Sequence, residues 1–173
     1  MKFKKLFFFI IAFSFLQNNL LAETPHFLDF KYILNQSDAG KEAQTNLKNK
    51  LSKGLKKLKN EEKLIQEEEK KIIKQKKIIS AEEYKKKVSE LRNRVVTAQK
   101  ERDSLLQNIG KQRANARNTI LNNLNPIIQE YMKEKKIRMV IDKKSLLLAD
   151  ENLDITKIII EKLNKKLKSI KLN

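Results

Sequence analysis

Two stretches of this chain repeat apolar residues every third or fourth position, and little interrupts them. From Lys41 to Asn125 there is no proline and only two glycines, Gly54 and Gly110. In the first stretch one heptad seam runs through Leu51, Leu55, Leu58, Glu62, Ile65, Glu69, Ile72, Lys76 and Ile79. In the second it runs through Tyr84, Val88, Leu91, Val95, Ala98, Arg102, Leu105, Ile109, Gln112 and Ala116. Alternating steps of four and three average about 3.5 residues, the repeat of a coiled coil. Ser80 followed by Glu83 has the form of a capping box, so a second helix should start near Ala81. The pattern predicts an antiparallel helical hairpin over residues 41–125. Each arm would hold roughly 37 residues and span about 55 Å. Facing residue numbers should sum to about 160–164, which sets Ile72 near Val88 or Leu91 and Leu55 near Leu105 or Ile109.

The flanks read differently. His26 to Tyr32 is aromatic and loosely alternating, which predicts a strand. Asn35 to Gly40 has turn chemistry, with Ser37 placed to cap the following helix. Beyond the hairpin, Asn125-Pro126 predicts a helix restart, with proline in a first turn. Ile137 to Asp142 and Ser145 to Ala149 read as two further short strands, and Asp150 to Asp154 as a loop. A closing amphipathic helix carries Ile155, Ile158, Ile159, Leu163, Leu167 and Ile170. The fold expected is therefore α+β, a long hairpin inserted in a small body made of residues 23–40 and 126–173. Three short strands and two short helices bury little apolar surface by themselves, so the body should pack against other copies of the chain.

Residues 1–22 change the compartment. Lys2, Lys4 and Lys5 precede an apolar run from Leu6 to Leu16, and Ala22 offers a small residue for cleavage. This run is shorter than the roughly 20 residues a spanning helix needs, which favours a cleaved secretory signal over an anchor. The chain carries a formal charge of +18, and losing those three lysines leaves +15. A balance of that sign favours anionic partners. Export argues against nucleic acid among them. Export also permits disulfides, yet the chain has no cysteine.

Charge in the seam at Glu62, Glu69, Lys76 and Arg102 should fix register at a cost in stability, leaving the outer half of the hairpin loosely held. Gly54 and Gly110 fall at nearly one height and suggest a flexible joint or a close helix approach. The outer segment concentrates Lys70, Lys71, Lys74, Lys77, Lys85, Lys86 and Lys87. These offer a surface for a polypeptide client, anionic lipid or lipopolysaccharide, or else form a plain solvated face. Phe27, Phe30, Val140 and Ile141 are the candidates for the body core or its contacts between copies. Glu61-Glu62 and Glu67-Glu68-Glu69 lie among lysines on an exposed helix and do not have the setting of an acid/base pair. With one histidine and no phosphate-binding loop, no catalytic residue, metal ligand or cofactor is expected.

The order of these parts resembles the Skp/OmpH family of periplasmic chaperones. The residues carrying the likeness are Asp29, Ser37-Asp38-Ala39-Gly40-Lys41 with Ala43-Gln44, Val140-Ile141-Asp142, Leu148-Ala149-Asp150 and Asp154-Ile155-Thr156. Before its V-x-D strand that family commonly has Gly-Tyr, where this chain has Lys136-Ile137. What the resemblance implies is a periplasmic homotrimer whose short strands build a small barrel. Three hairpins would then hang around a cavity that holds unfolded outer-membrane β-barrel proteins, without ATP or a catalytic group. The alternative is a structural coiled-coil protein or adaptor of the cell envelope, which needs no closed oligomeric body.

Overall fold

The computed structural model describes residues 24–172. Residues 1–22, read above as a secretory signal, lie outside the described residues. The elements run β1 (His26–Leu28), α1 (Phe30–Gln36), α2 (Asp38–Gln75), α3 (Ala81–Lys135), β2 (Val140–Asp142) and α4 (Thr156–Lys166). Short 3-10 turns occupy Lys143–Ser145 and Glu151–Leu153. Helix makes up 79% of the structure, so the strands act as ties between chain ends rather than as a layer of their own.

The hairpin forms where the periodicity puts it. Ser80 caps α3 by accepting from the Glu83 N–H at 3.1 Å. The carboxylate of Glu83 turns to Lys87 on the next turn. Ser37 caps α2 by accepting from the Gly40 N–H at 3.3 Å, so that helix begins at Asp38, inside the expected turn. Gly40 is required there because a Cβ would stand 2.0 Å from the Leu34 carbonyl oxygen, where α1 crosses the start of α2.

Three expectations fail in the body. The stretch read as a strand over His26–Tyr32 is a strand only to Leu28. Asp29 then accepts from the Tyr32 N–H at 2.7 Å and starts α1. A side-chain cap of this kind outweighs the β preference of two aromatic residues. The restart at Asn125-Pro126 does not occur, because α3 runs through Pro126 without a break. Proline removes one backbone bond, but Asn122 and Pro126 are both exposed and water can serve the freed carbonyl. On the opposite side Ile120, Leu124, Ile127 and Tyr131 are buried and hold the helix in line. Finally, Ser145–Ala149 forms no strand, and Leu147 and Leu148 point into solvent. Asp142 instead caps a 3-10 turn over the first of these residues.

The two ends of the chain meet as expected. β1 and β2 pair in parallel, with Phe27 opposite Ile141. Asp154, Ile155 and Thr156 close the other side of β1. The Ile155 N–H donates to the Phe27 carbonyl at 2.9 Å, and the Asp29 N–H donates to the Thr156 hydroxyl at 2.8 Å. That hydroxyl donates in turn to Asp154. The core gathers Leu28, Ile33, Ala39, Ile120, Leu124, Ile127, Ile155, Ile159 and Leu163, drawn from every element but β2, whose Val140 packs against the core from outside.

Candidate functional site

The arm is the candidate site, and its seam decides how it is held. Leu58, Ile65, Ile72 and Leu91 are buried along it. Ile65, Ile72 and Leu91 form a small cluster with Tyr84, Val88 and Ala98 beside them. Half of the first arm's expected seam is displaced by one residue. Gly54, Glu61, Glu68 and Gln75 turn inward, while Leu55, Glu62, Glu69 and Lys76 are exposed. On the second arm Arg94 turns inward in place of Val95, which is 49% exposed.

The reason is an ion-pair cluster. The Arg94 guanidinium donates to Glu61 at 2.7 and 3.1 Å and also to Glu68. The hydrogen bond to Glu61, followed by the attraction of both carboxylates, outweighs desolvation and raises the guanidinium's pKa above its already high ordinary value. Three charged groups joined by several bonds lose less freedom per bond than separate pairs, so the seam turns toward them. Glu62 still reaches Arg102 at 3.0 Å from the edge. Lys50 donates to the buried Gln112 at 3.1 Å, and Lys87 to Gln75 at 2.9 Å. These partners keep the expected antiparallel register.

The two glycines stand in different surroundings. Gly54 faces the second helix, with Leu105 so near that an added Cβ would lie 2.5 Å from its Cδ2. Gly110 faces open space, with nothing within 4 Å of where its Cβ would be.

Among the lysines singled out in the sequence, Lys70, Lys71, Lys74, Lys77, Lys85 and Lys86 are exposed. They form no ion pair among the described residues, whereas Glu61, Glu62, Glu68, Glu83 and Glu101 are each engaged by a cation. Pairing therefore holds part of the arm's negative charge inside the hairpin, while these six lysines outnumber the free carboxylates of Glu67, Glu69 and Glu82 beside them. Lys87 is half-buried and shared between Glu83 and Gln75. Among the described residues no helix is long and apolar enough to cross a membrane.

In the body, Phe27 is buried with the Lys143 ammonium 5.6 Å from its ring centre. Phe30 is half-buried against the core, and the Arg117 guanidinium stands 5.8 Å from its ring. Val140 and Ile141 are half-buried in β2, at the edge of the sheet. Desolvation raises the Asp154 pKa, but hydrogen bonds from the Thr156 hydroxyl and N–H, then Lys143 at 3.3 Å, win and hold the carboxyl below its ordinary value. Sequence reasoning missed the Arg94 cluster, although Glu61 and Glu68 lie seven residues apart and share a helix face.

Comparison with known proteins agrees with this architecture. A family model described as outer membrane protein (OmpH-like) matches residues 26–163. No curated protein matches the sequence. The fold is similar to the crystal structure of a proposed outer membrane chaperone (OmpH-like) from Caulobacter crescentus CB15, with a TM-score of 0.80. The match covers 87% of this chain and 90% of that one at 18% sequence identity, a likeness of fold.

Proposed function

The chain belongs to the OmpH-like outer membrane protein family, and from that premise we propose that it is an ATP-independent holdase of the periplasm. It would bind unfolded outer-membrane β-barrel proteins between basic arms and keep them from aggregating on the way to the outer membrane. The observation that carries this reading is the charge on the arm. Glu61, Glu62, Glu68 and Glu101 are held in pairs with cations of the arm, while six lysines around the turn face solvent with no ion pair among the described residues. Such a surface attracts acidic segments from a distance and releases them as salt rises. Many weak contacts to an unfolded chain compete with aggregation by mass action without a specific pocket. No group in this mechanism needs to be catalytic.

The working unit is a homotrimer on this reading. Each body leaves β2 at a sheet edge and exposes Leu147 and Leu148, surfaces that a neighbouring copy can cover. Phe27, Phe30, Val140 and Ile141 would lie in or beside that contact. Arms whose seam is broken by charge near Glu61 and by Gly54, with Gly110 on the open face of the second helix, would bend to fit clients of different size. The same basic tip would also meet anionic lipid or lipopolysaccharide at the membrane surface.

Sedimentation of the mature chain, alone and with a urea-unfolded β-barrel membrane protein, tests the proposal. The expected result is a trimer that keeps the client in the supernatant at low salt and less well at high salt. A dimer or rod that leaves the client's aggregation unchanged would overturn it in favour of an envelope adaptor.

A further inference from the structure

Where the seam turns toward Arg94, apolar side chains that the heptads would have buried come out on one side of the arm. Gly54 abuts Leu105, and Glu61 faces Arg94. Seen from one end, two antiparallel helices wind in opposite senses. The residues that follow two facing residues therefore emerge on the same face of the hairpin. Leu55 and Leu106 follow the first pair, and Glu62 and Val95 follow the second. Ile73 and Arg92 follow the buried Ile72 and Leu91, and Arg113 follows the buried Gln112. All of these share one face. The bridge from Glu62 to Arg102 lies on it as well. Residues that precede the seam emerge on the other face, as Lys57 does before Leu58 and Leu64 before Ile65.

The first face is apolar and basic at once. Leu55, Ile73, Val95 and Leu106 are between 40% and 60% exposed. Leu55 and Leu106 stand level and make one step across both helices. Val95 lies roughly 16 Å nearer the turn than Leu106, and Ile73 roughly 27 Å beyond Leu55, at helical rise. Arg92 and Arg113 are exposed among them and make no ion pair among the described residues. Apolar side chains left in water at several heights are surface that a partner can bury. The backbone groups of both helices are paired within themselves, so the partner docks through side chains and adds no strand. The cations of this face repel a second copy of it, which argues against a neighbouring arm as the occupant. An unfolded polypeptide supplies what the face lacks, with apolar side chains for the steps and carbonyls and carboxylates for the arginines.

We infer that this face, and not its opposite, is where the arm grips an unfolded polypeptide, with Leu55, Leu106, Val95 and Ile73 taking the client's apolar side chains. The inference rests on the holdase reading. It adds a second kind of contact, one that does not use the tip lysines and outlasts added salt.

The test is titration of a labelled, urea-unfolded β-barrel membrane protein with the mature chain at high salt, where attraction by the lysines is screened. Leu55→Gln, Val95→Gln and Leu106→Gln together keep helix-forming residues on the arm and should weaken client affinity by about tenfold or more. Leu64→Gln with Val96→Gln, at positions of similar exposure on other sides of the arm, should leave it unchanged. Sedimentation and circular dichroism of both variants should match the parent. In the otherwise unaltered chain, a photo-crosslinking side chain at Val95 should capture client and one at Leu64 should not, which tests the face even if the triple variant loses helix. Equal capture at the two positions, no loss in the triple variant, equal loss in both variants, or binding by the parent at low salt only would overturn the inference. So would a triple variant that keeps its helix but leaves the oligomer, since the face would then be a contact between copies. A parent that binds no client at any salt concentration overturns the holdase reading itself, and is told apart because it fails before any substitution is made.

Discussion

Lys136 carries the one left-handed backbone among the described non-glycine residues, with φ of 56°. It ends α3 in a Schellman-type turn, in which the Ile137 N–H donates to the Met132 carbonyl at 2.8 Å. Glycine has no Cβ to meet the backbone in that conformation, so Lys136→Gly should raise stability by about 1 kcal/mol. A urea midpoint that falls instead would mean that the lysine side chain holds the turn. The position is also where the resembling family commonly has glycine, so the departure has a local cost and no effect on the path of the chain. Asp154 offers a second measurement. Its folded pKa is lowered, so its stabilisation is present above the ordinary carboxylate value and is lost as pH falls through the folded one. Asp154→Asn should therefore be less stable than the parent near neutral pH, and the gap should close below about pH 4. A gap constant from about pH 7 to about pH 3 would show that the carboxylate's charge contributes nothing. The residues that carry the family likeness owe much of their legibility to this kind of chemistry. Asp29, Ser37, Asp142, Asp150 and Asp154 each accept from a backbone N–H two or three residues on. Caps act over one turn and can be read from sequence, which is why the ends of α2 and α3 near Ser37 and Ser80 were foreseen.

What sequence left open at the level of elements was which side of a helix faces its partner. Leu58, Ile65 and Ile72 fix one seam position per heptad. The other falls on neighbours of similar polarity, Glu61 or Glu62 and Glu68 or Glu69, and Leu55 tips the choice the wrong way. The answer depends on Arg94, more than twenty residues away in the chain, and on Gly54, which lets Leu105 come close. Pairing across the hairpin is not a local property, so local pattern does not settle it. Pro126 is the same lesson in reverse, since the burial of Ile120, Leu124 and Tyr131 carries α3 through a residue that locally signals a start. The Arg94 cluster should behave as a salt-sensitive latch. Arg94→Leu alone leaves two carboxylates facing each other in the seam and should speed hydrogen exchange of the amides from Leu91 to Ala98. Replacing Arg94, Glu61 and Glu68 together by leucine should slow that exchange below the parent, because an apolar seam has no desolvation cost to offset. In the parent, exchange should rise with added salt, and in the triple variant it should not. Identical exchange in all three proteins would mean that the tip is held by Ile65, Ile72 and Leu91 alone.

For the whole molecule the question is what completes the body. A sheet of two strands of three residues each is marginal by itself, and the fold spends most of its length on an arm that encloses nothing alone. Leu147 and Leu148 are fully exposed, although Val140 and Ile141 lie a few residues before them in a half-buried strand. Two adjacent leucines in water give up several kcal/mol of available burial, about 1.5–3 each, which a second surface can recover. Because they contribute little to the protomer's own packing, Leu147→Asp with Leu148→Asp should leave helix content and the core around Ile159 and Leu163 unchanged. Assembly should suffer instead, with sedimentation moving from the oligomer toward the single chain at micromolar concentration. Client retention should fall with it, even though every lysine of the tip is still present, because one arm offers contacts on one side only and linked contacts multiply affinity. That separation makes the experiment decisive between surface and enclosure. If the monomeric variant kept an unfolded β-barrel protein soluble as well as the parent, the basic arm surface would be sufficient and the enclosing trimer unnecessary. If the variant stayed oligomeric, the copies would meet elsewhere, and the edge of β2 would be the next surface to charge.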